Sequence, residues 1–117
     1  MATITPTVTR DQQDNKHTIT WANVTNADAC AAFEFQSLAE NITVEADDTT
    51  AWGGATLTMV GSNGGTGKAC TAMNNSTASW TANALFSIRQ RPGSITPTFS
   101  GGVGQNVTVY MTIWFDD

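Results

Sequence analysis

At 117 residues, with 40% hydrophobic and only 13% charged side chains, the chain is sized for one core in a single domain spanning residues 1–117. Ten acids against five lysines and arginines give a net charge of −5, which argues against nucleic acid and an anionic membrane surface as partners. No segment approaches the roughly 20 apolar residues of a membrane span, and four tryptophans with five phenylalanines argue against disorder.

Threonine, serine, asparagine and glycine carry the polarity that charge usually carries. Threonine is branched at Cβ and suits a pleated strand, so an all-β domain is expected. Residues 1–15 open with the extended run Thr3–Thr9, in which Pro6 has no N–H for a ladder. That run reads as an edge strand or as an arm reaching a neighbour, and residues 11–15 as a polar turn. His17–Ala22 alternates, with Ile19 and Trp21 facing inward. A loop of weak helical tendency follows over Asn26–Ala32, after which Phe33 and Phe35 point the same way if extended. Ile42–Ala46 alternates again and ends in the turn Asp47–Thr50.

The stretch around residues 52–72 is the clearest signal in the chain. Thr56–Val60 alternates, Gly61–Gly67 supplies residues that tolerate positive φ, and Lys68–Ala72 returns: a β-hairpin. Such a hairpin needs flanking strands to cover its edges. Thr81 is placed to cap a short helix over Ala82–Arg89, with Leu85 and Ile88 on one side and Pro92-Gly93 beyond its end. Ile95–Phe99 reads as a short strand interrupted by Pro97, hence at an edge. The longest strand is Asn106–Phe115, with Val107, Val109, Met111, Ile113 and Phe115 on one face. Tyr110 and Trp114 lie on the other, where a second layer or another subunit is expected to cover them.

Reactive chemistry is sparse. His17 is the only histidine, which leaves no multi-histidine metal site; it reads as a surface strand residue rather than half of a Cys–His pair. Asp47-Asp48 and Asp116-Asp117 lack the spacing of a calcium loop and read as a solvated turn and terminus. The Gly61–Gly67 run lacks the Lys-Ser/Thr and helix of a phosphate loop. Trp52, Trp80 and Trp114 are either a sugar-stacking platform or ordinary packing residues. No catalytic residue, cofactor or metal is implied, and an enzyme is not expected. Cys30 and Cys70 form one disulfide or stay as free thiols, their spacing requiring neither. Met1–Pro6 has neither the basic start nor the apolar run of a signal peptide, which implies cytoplasmic synthesis or a leader already removed. On that basis the Asn-X-Thr matches at Asn23, Asn41, Asn75 and Asn106 read as chance products of an Asn/Thr-rich chain.

Gly53–Thr66, GGATLTMVGSNGGT, resembles the GGATVTIEGSNDGTNW segment of small tailed-phage virion proteins. Thr81–Arg89 is similar to their TAAGLEAI stretch. Ile95-Thr96-Pro97 with Ser100–Gly104 is similar to their IRP and SGGDGT pieces before a final Thr/Val strand. The resemblance implies a capsid decoration (cement) protein, a jelly-roll-like β-sandwich with one short helix and an extended N-terminal arm. Made in the host cytoplasm, it would bind the major capsid protein on the head exterior, as a homo-oligomer with a trimer favoured. On this reading Thr3, Ile4, Thr5, Pro6, Thr7 and Val8 are the capsid-contacting arm, and Tyr110 and Trp114 are subunit contacts. The same glycine phrase occurs in discoidin-like sugar-binding modules, so carbohydrate binding on a virion or host surface is the alternative. There the chain departs from the pattern, with Gly64 replacing the acid and Gly67-Lys68 standing where Asn-Trp would come.

Overall fold

Among the described residues, alternating threonine and apolar residues resolve into twelve strands and no helix. In chain order these are β1 (Ala2–Ile4), β2 (Thr7–Asp11), β3 (Lys16–Val24), β4 (Asp28–Cys30), β5 (Phe33–Glu34) and β6 (Asn41–Asp47). They continue with β7 (Thr56–Ser62), β8 (Lys68–Ala69), β9 (Ser79–Trp80), β10 (Ala84–Ile88), β11 (Ser94–Ser100) and β12 (Val107–Trp114). The computed structural model describes residues 2–11, 13, 15–25, 27–35, 41–48 and 52–114.

The strands build a β-sandwich of two antiparallel sheets. The first runs β10-β6-β12-β3-β2; the second runs β5-β11-β7-β8, with β9 beside β8 on the same edge of β7. The inward faces supply the core. Ile19, Trp21, Ile42, Val44, Val109, Met111 and Ile113 from the first sheet meet Leu57, Met59 and Ile95 from the second, all essentially sealed from solvent. Trp21 is the largest of these; its indole nitrogen donates to the Ala31 carbonyl at 2.8 Å, so the ring is buried without an orphaned donor. One extra residue in β3, opposite Val107–Val109, shifts the register there. Asn23 takes up the left-handed conformation at φ 55°, and Trp21 and Val24 both face inward although three positions apart. Trp80 of the second sheet stacks on Phe86 of the first with ring centroids 3.2 Å apart, closing one side of the sandwich.

The expected hairpin forms, but its return is short. Only Lys68 and Ala69 pair as a strand with Gly61 and Val60. The chain then leaves for the first sheet, where Met73 N–H donates to Ser87 and the Arg89 N–H donates to Thr71. This crossing covers part of the β10 edge.

The expected helix over Ala82–Arg89 is a strand instead. β10 pairs with β6 through five residues, from Ala84 opposite Ala46 to Ile88 opposite Ile42. An eight-residue helix is too short to hold itself, so tertiary pairing decides. Ala84, Phe86 and Ile88 then share the inner face while Leu85, 69% exposed, turns outward. Likewise the stretch read as a weakly helical loop contains β4, which pairs in parallel with β1. Pro97 does not interrupt its strand: β11 pairs with β7 along its whole length. Among the described residues its other side pairs with β5 only at Ser94 and Ile95, so no strand pairs there with Pro97, where a missing N–H is tolerated.

Candidate functional site

The N-terminal stretch expected to act as an arm is laid on its own chain. Thr3 and Ile4 pair with Ala29 and Cys30, and Thr7 and Val8 pair with Thr20 and Ile19 of β3, making β2 the edge strand of the first sheet. Ile4 and Val8 pack against the core while Thr3, Thr5 and Thr7 are exposed and Pro6 is half-buried between the two strands. Of the two readings of this run, edge strand or arm, the structure shows the edge strand, with Ile4 and Val8 packed against the core.

Strand register carries Thr7 into the same surface as Tyr110. Across the outer face of the first sheet run Thr7, Thr20, Tyr110, Glu45 and Leu85, one from each strand. The next row is Thr9, Thr18, Thr112, Thr43 and Ser87, an unbroken line of hydroxyl side chains over all five strands. Beyond it lie Asp11, Lys16, Trp114 and Asn41. Tyr110 and Trp114 are thus separated by two strand repeats, about 14 Å, with Thr112 between them. Each is 39% exposed. The Lys16 ammonium sits 5.3 Å from the Trp114 ring centroid, a cation–π contact at the end of the face. Phe115 lies outside the described residues.

The three tryptophans considered as a platform do not assemble. Trp52 is buried beside Phe99, Trp80 is spent on Phe86, and only Trp114 reaches the outer face. Both cysteines are free. Burial, with the Asp28 carboxylate nearby, pushes the Cys30 thiol up to about 12, and burial also raises Cys70, so neither is a ready nucleophile. His17 sits opposite Arg10 across the β2–β3 pair, and burial together with that guanidinium holds its pKa below the usual imidazole value.

Asp48 departs from the solvated-turn reading, being 4% exposed. Its carboxylate accepts the Asn106 N–H at 2.9 Å, tying the start of β12 to the end of β6. Asn83 completes this corner. Its Oδ1 accepts from the Asp48 N–H at 2.9 Å and the Trp52 indole at 2.8 Å, while Nδ2 donates to Asp47 Oδ1 and the Asp48 carbonyl. Sequence reasoning missed this corner, because a polar residue whose partners lie more than thirty positions away has no local pattern. Asp116-Asp117 lies outside the described residues.

A second concavity flanks the glycine-rich turn after β7. It encloses about 570 Å³ and is lined by Ser62, Asn63, Thr66, Lys68, Gln90 and Arg91, with Cys70 and Pro92 deeper in. Across the turn lies a hollow of about 510 Å³ that includes Glu34 and Ser94. Among the described residues no three histidine, cysteine or acidic side chains gather to hold a metal, and no helix is long and apolar enough to cross a membrane.

No protein-family model matches the chain, and no curated protein matches it. Among solved structures it is similar to protein NMB1881 from Neisseria meningitidis, at 5% identity and a TM-score of 0.38, over 92% of this chain and 82% of that one.

Proposed function

We propose that this chain is a phage virion structural protein that decorates the capsid and cements the major capsid protein shell. The observation that carries the reading is the outer face of the first sheet, exposed at Thr7, Glu45, Leu85, Tyr110 and Trp114. It joins Thr7 of the N-terminal stretch to Tyr110 and Trp114 on one five-stranded surface. Surface chemistry of this kind serves docking: hydroxyls for adaptable hydrogen bonds and two aromatic anchors of the type that carries binding energy. The resemblance of Gly53–Thr66, Thr81–Arg89 and Ser100–Gly104 to phage virion segments supplies the partner. The mechanism is passive. A ligand that binds only the assembled shell shifts the equilibrium toward it by mass action, and several linked copies raise the effective concentration of each contact.

The test substitutes the exposed threonines and leaves Ile4 and Val8 in the core. Thr3→Glu/Thr5→Glu/Thr7→Glu is expected to abolish co-sedimentation with expanded phage heads while the protein keeps its thermal midpoint. Undiminished co-sedimentation would remove Thr3–Val8 from the capsid contact.

A carbohydrate-binding reading has one observation in its favour, the Tyr110–Trp114 pair astride a hydroxyl row. Saturable quenching of tryptophan fluorescence by an oligosaccharide, lost in Trp114→Ala, would select it over decoration.

A further inference from the structure

We propose that Asn63-Gly64, in the glycine-rich turn, is a self-modification site. The Gly64 backbone nitrogen attacks the Asn63 side chain and converts it, through a succinimide, to an aspartyl or isoaspartyl residue. The reaction is intramolecular and does not depend on the decoration reading.

The sequence supplies the reacting pair once, since Asn63-Gly64 is the chain's sole Asn-Gly step. The attacking nitrogen belongs to the residue after the asparagine, and glycine has no Cβ to crowd its approach. Both residues are exposed, and Gly64 holds φ at 119° with open space around it. Asn75 is exposed too, but the residue after it is Ser76, which has a Cβ and whose N–H is given to the Asn74 side chain at 3.0 Å.

The fold adds what a free peptide lacks. The Gly64 N–H donates to the Ser62 hydroxyl at 3.1 Å, and that hydroxyl donates to the Gly65 carbonyl at 2.8 Å. The Ser62 oxygen is thus placed to take the amide proton as the nitrogen attacks. On the electrophile, Asn63 Oδ1 accepts the Gly93 N–H at 2.6 Å. Oδ1 is the atom that becomes the oxyanion when the nitrogen adds to Cγ, and a donor already aimed at it binds more strongly as charge develops. The donor is held in place. The Gly93 carbonyl accepts the Phe35 N–H at 2.9 Å, and Ser94 pairs with Ser62 in the β11–β7 register.

The Gly64 N–Cγ bond forms and the Cγ–Nδ2 bond breaks. The proton leaving the Gly64 nitrogen reaches Nδ2 through the Ser62 hydroxyl and solvent, and ammonia departs. Asn63 Nδ2 makes no hydrogen bond among the described residues, whereas Asn83 Nδ2 is held by Asp47 and the Asp48 carbonyl. Water then adds to either carbonyl of the ring and opens it. The hollow of about 510 Å³ lined by Asn63, Gly64, Gly93 and Glu34 brings solvent to that step. The product carries one more negative charge, and its isoaspartyl form routes the backbone of the turn through the former side chain.

The experiment incubates the full chain at neutral pH, folded and in guanidinium chloride. Peptide mass mapping follows the change from amide to acid, and an isoaspartyl methyltransferase labels the isoaspartyl product. Asn63 is expected to convert before any other asparagine, about tenfold faster in the folded chain than in denaturant. Ser62→Ala should slow the folded chain about tenfold and leave the rate in denaturant unchanged; a circular dichroism melt checks that the variant keeps its fold. A folded rate no higher than that in denaturant overturns the site, as does an unchanged folded rate in Ser62→Ala or conversion that begins at Asn75.

Discussion

At the scale of single residues, Asn83 does more for the fold than its exposed position suggests. One side-chain oxygen serves the Asp48 N–H and the Trp52 indole, and one side-chain nitrogen serves Asp47 and the Asp48 carbonyl. Truncation leaves two partly buried donors without acceptors, each costing about 1–3 kcal/mol. Asn83→Ala is therefore expected to lower stability by about 2–4 kcal/mol in urea denaturation with the slope unchanged. A loss below about 0.5 kcal/mol would show that water replaces the amide there. Asn83→Asp should not rescue it, since a carboxylate cannot donate to Asp47 and repels it. None of this was legible in the sequence, where Asp47-Asp48 reads as solvated and Asn83 as part of a helix. The partners lie 31 to 36 positions apart, and only the folded topology brings them together. Trp21, by contrast, was legible: an aromatic in phase with Ile19 in an alternating run has one place to go.

At the scale of elements, the strands that alternate cleanly were readable because their pattern and their burial are the same fact. β6, β7 and β12 each bury every second residue where alternation said they would, and β3 does so at Ile19 and Trp21 before its bulge. β10 was not readable, since Ala-Leu-Phe-Ser-Ile fits either period over so short a span and β6 decides it. The β2–β3 pair carries a prediction of its own. His17 lies directly opposite Arg10, and its pKa is held below the ordinary imidazole value of about 6.5 by burial and then by that guanidinium. Through that lowered range the unfolded chain binds the proton more readily than the folded one. Stability from this group is accordingly complete above the unfolded value and is lost as pH falls through the lowered folded one. The thermal midpoint is expected to drop between pH 7.5 and 5, and His17→Gln should flatten that dependence. Identical pH profiles for the two proteins would assign the acid sensitivity to carboxylates instead. Asp28 acts in the same direction at lower pH: its carboxylate accepts from the Thr25 N–H and hydroxyl, which lowers its pKa.

At the scale of the whole molecule, the question is how much surface the outer face can offer. Five strands at about 4.8 Å spacing, read over about six residues each, make a patch of about 500 Å². That is below the roughly 800 Å² per partner of a stable interface, so the face alone supports association that depends on concentration. Tyr110 and Trp114 are its two large anchors, and truncating such anchors removes most of the energy of a small patch. Light scattering is therefore expected to give a mass rising from 12.4 kDa toward a trimer as protein concentration increases. Tyr110→Ser/Trp114→Ser should stay at 12.4 kDa throughout. Because both side chains are on the solvent face of β12, the double variant should keep its fold, which a circular dichroism melt checks independently. Added salt is expected to weaken self-association little, since hydroxyls and rings make most of the face. A double variant that still associates would move the subunit contact off this face. The edge of β2 would then be the next candidate, because among the described residues no strand pairs with it on that side.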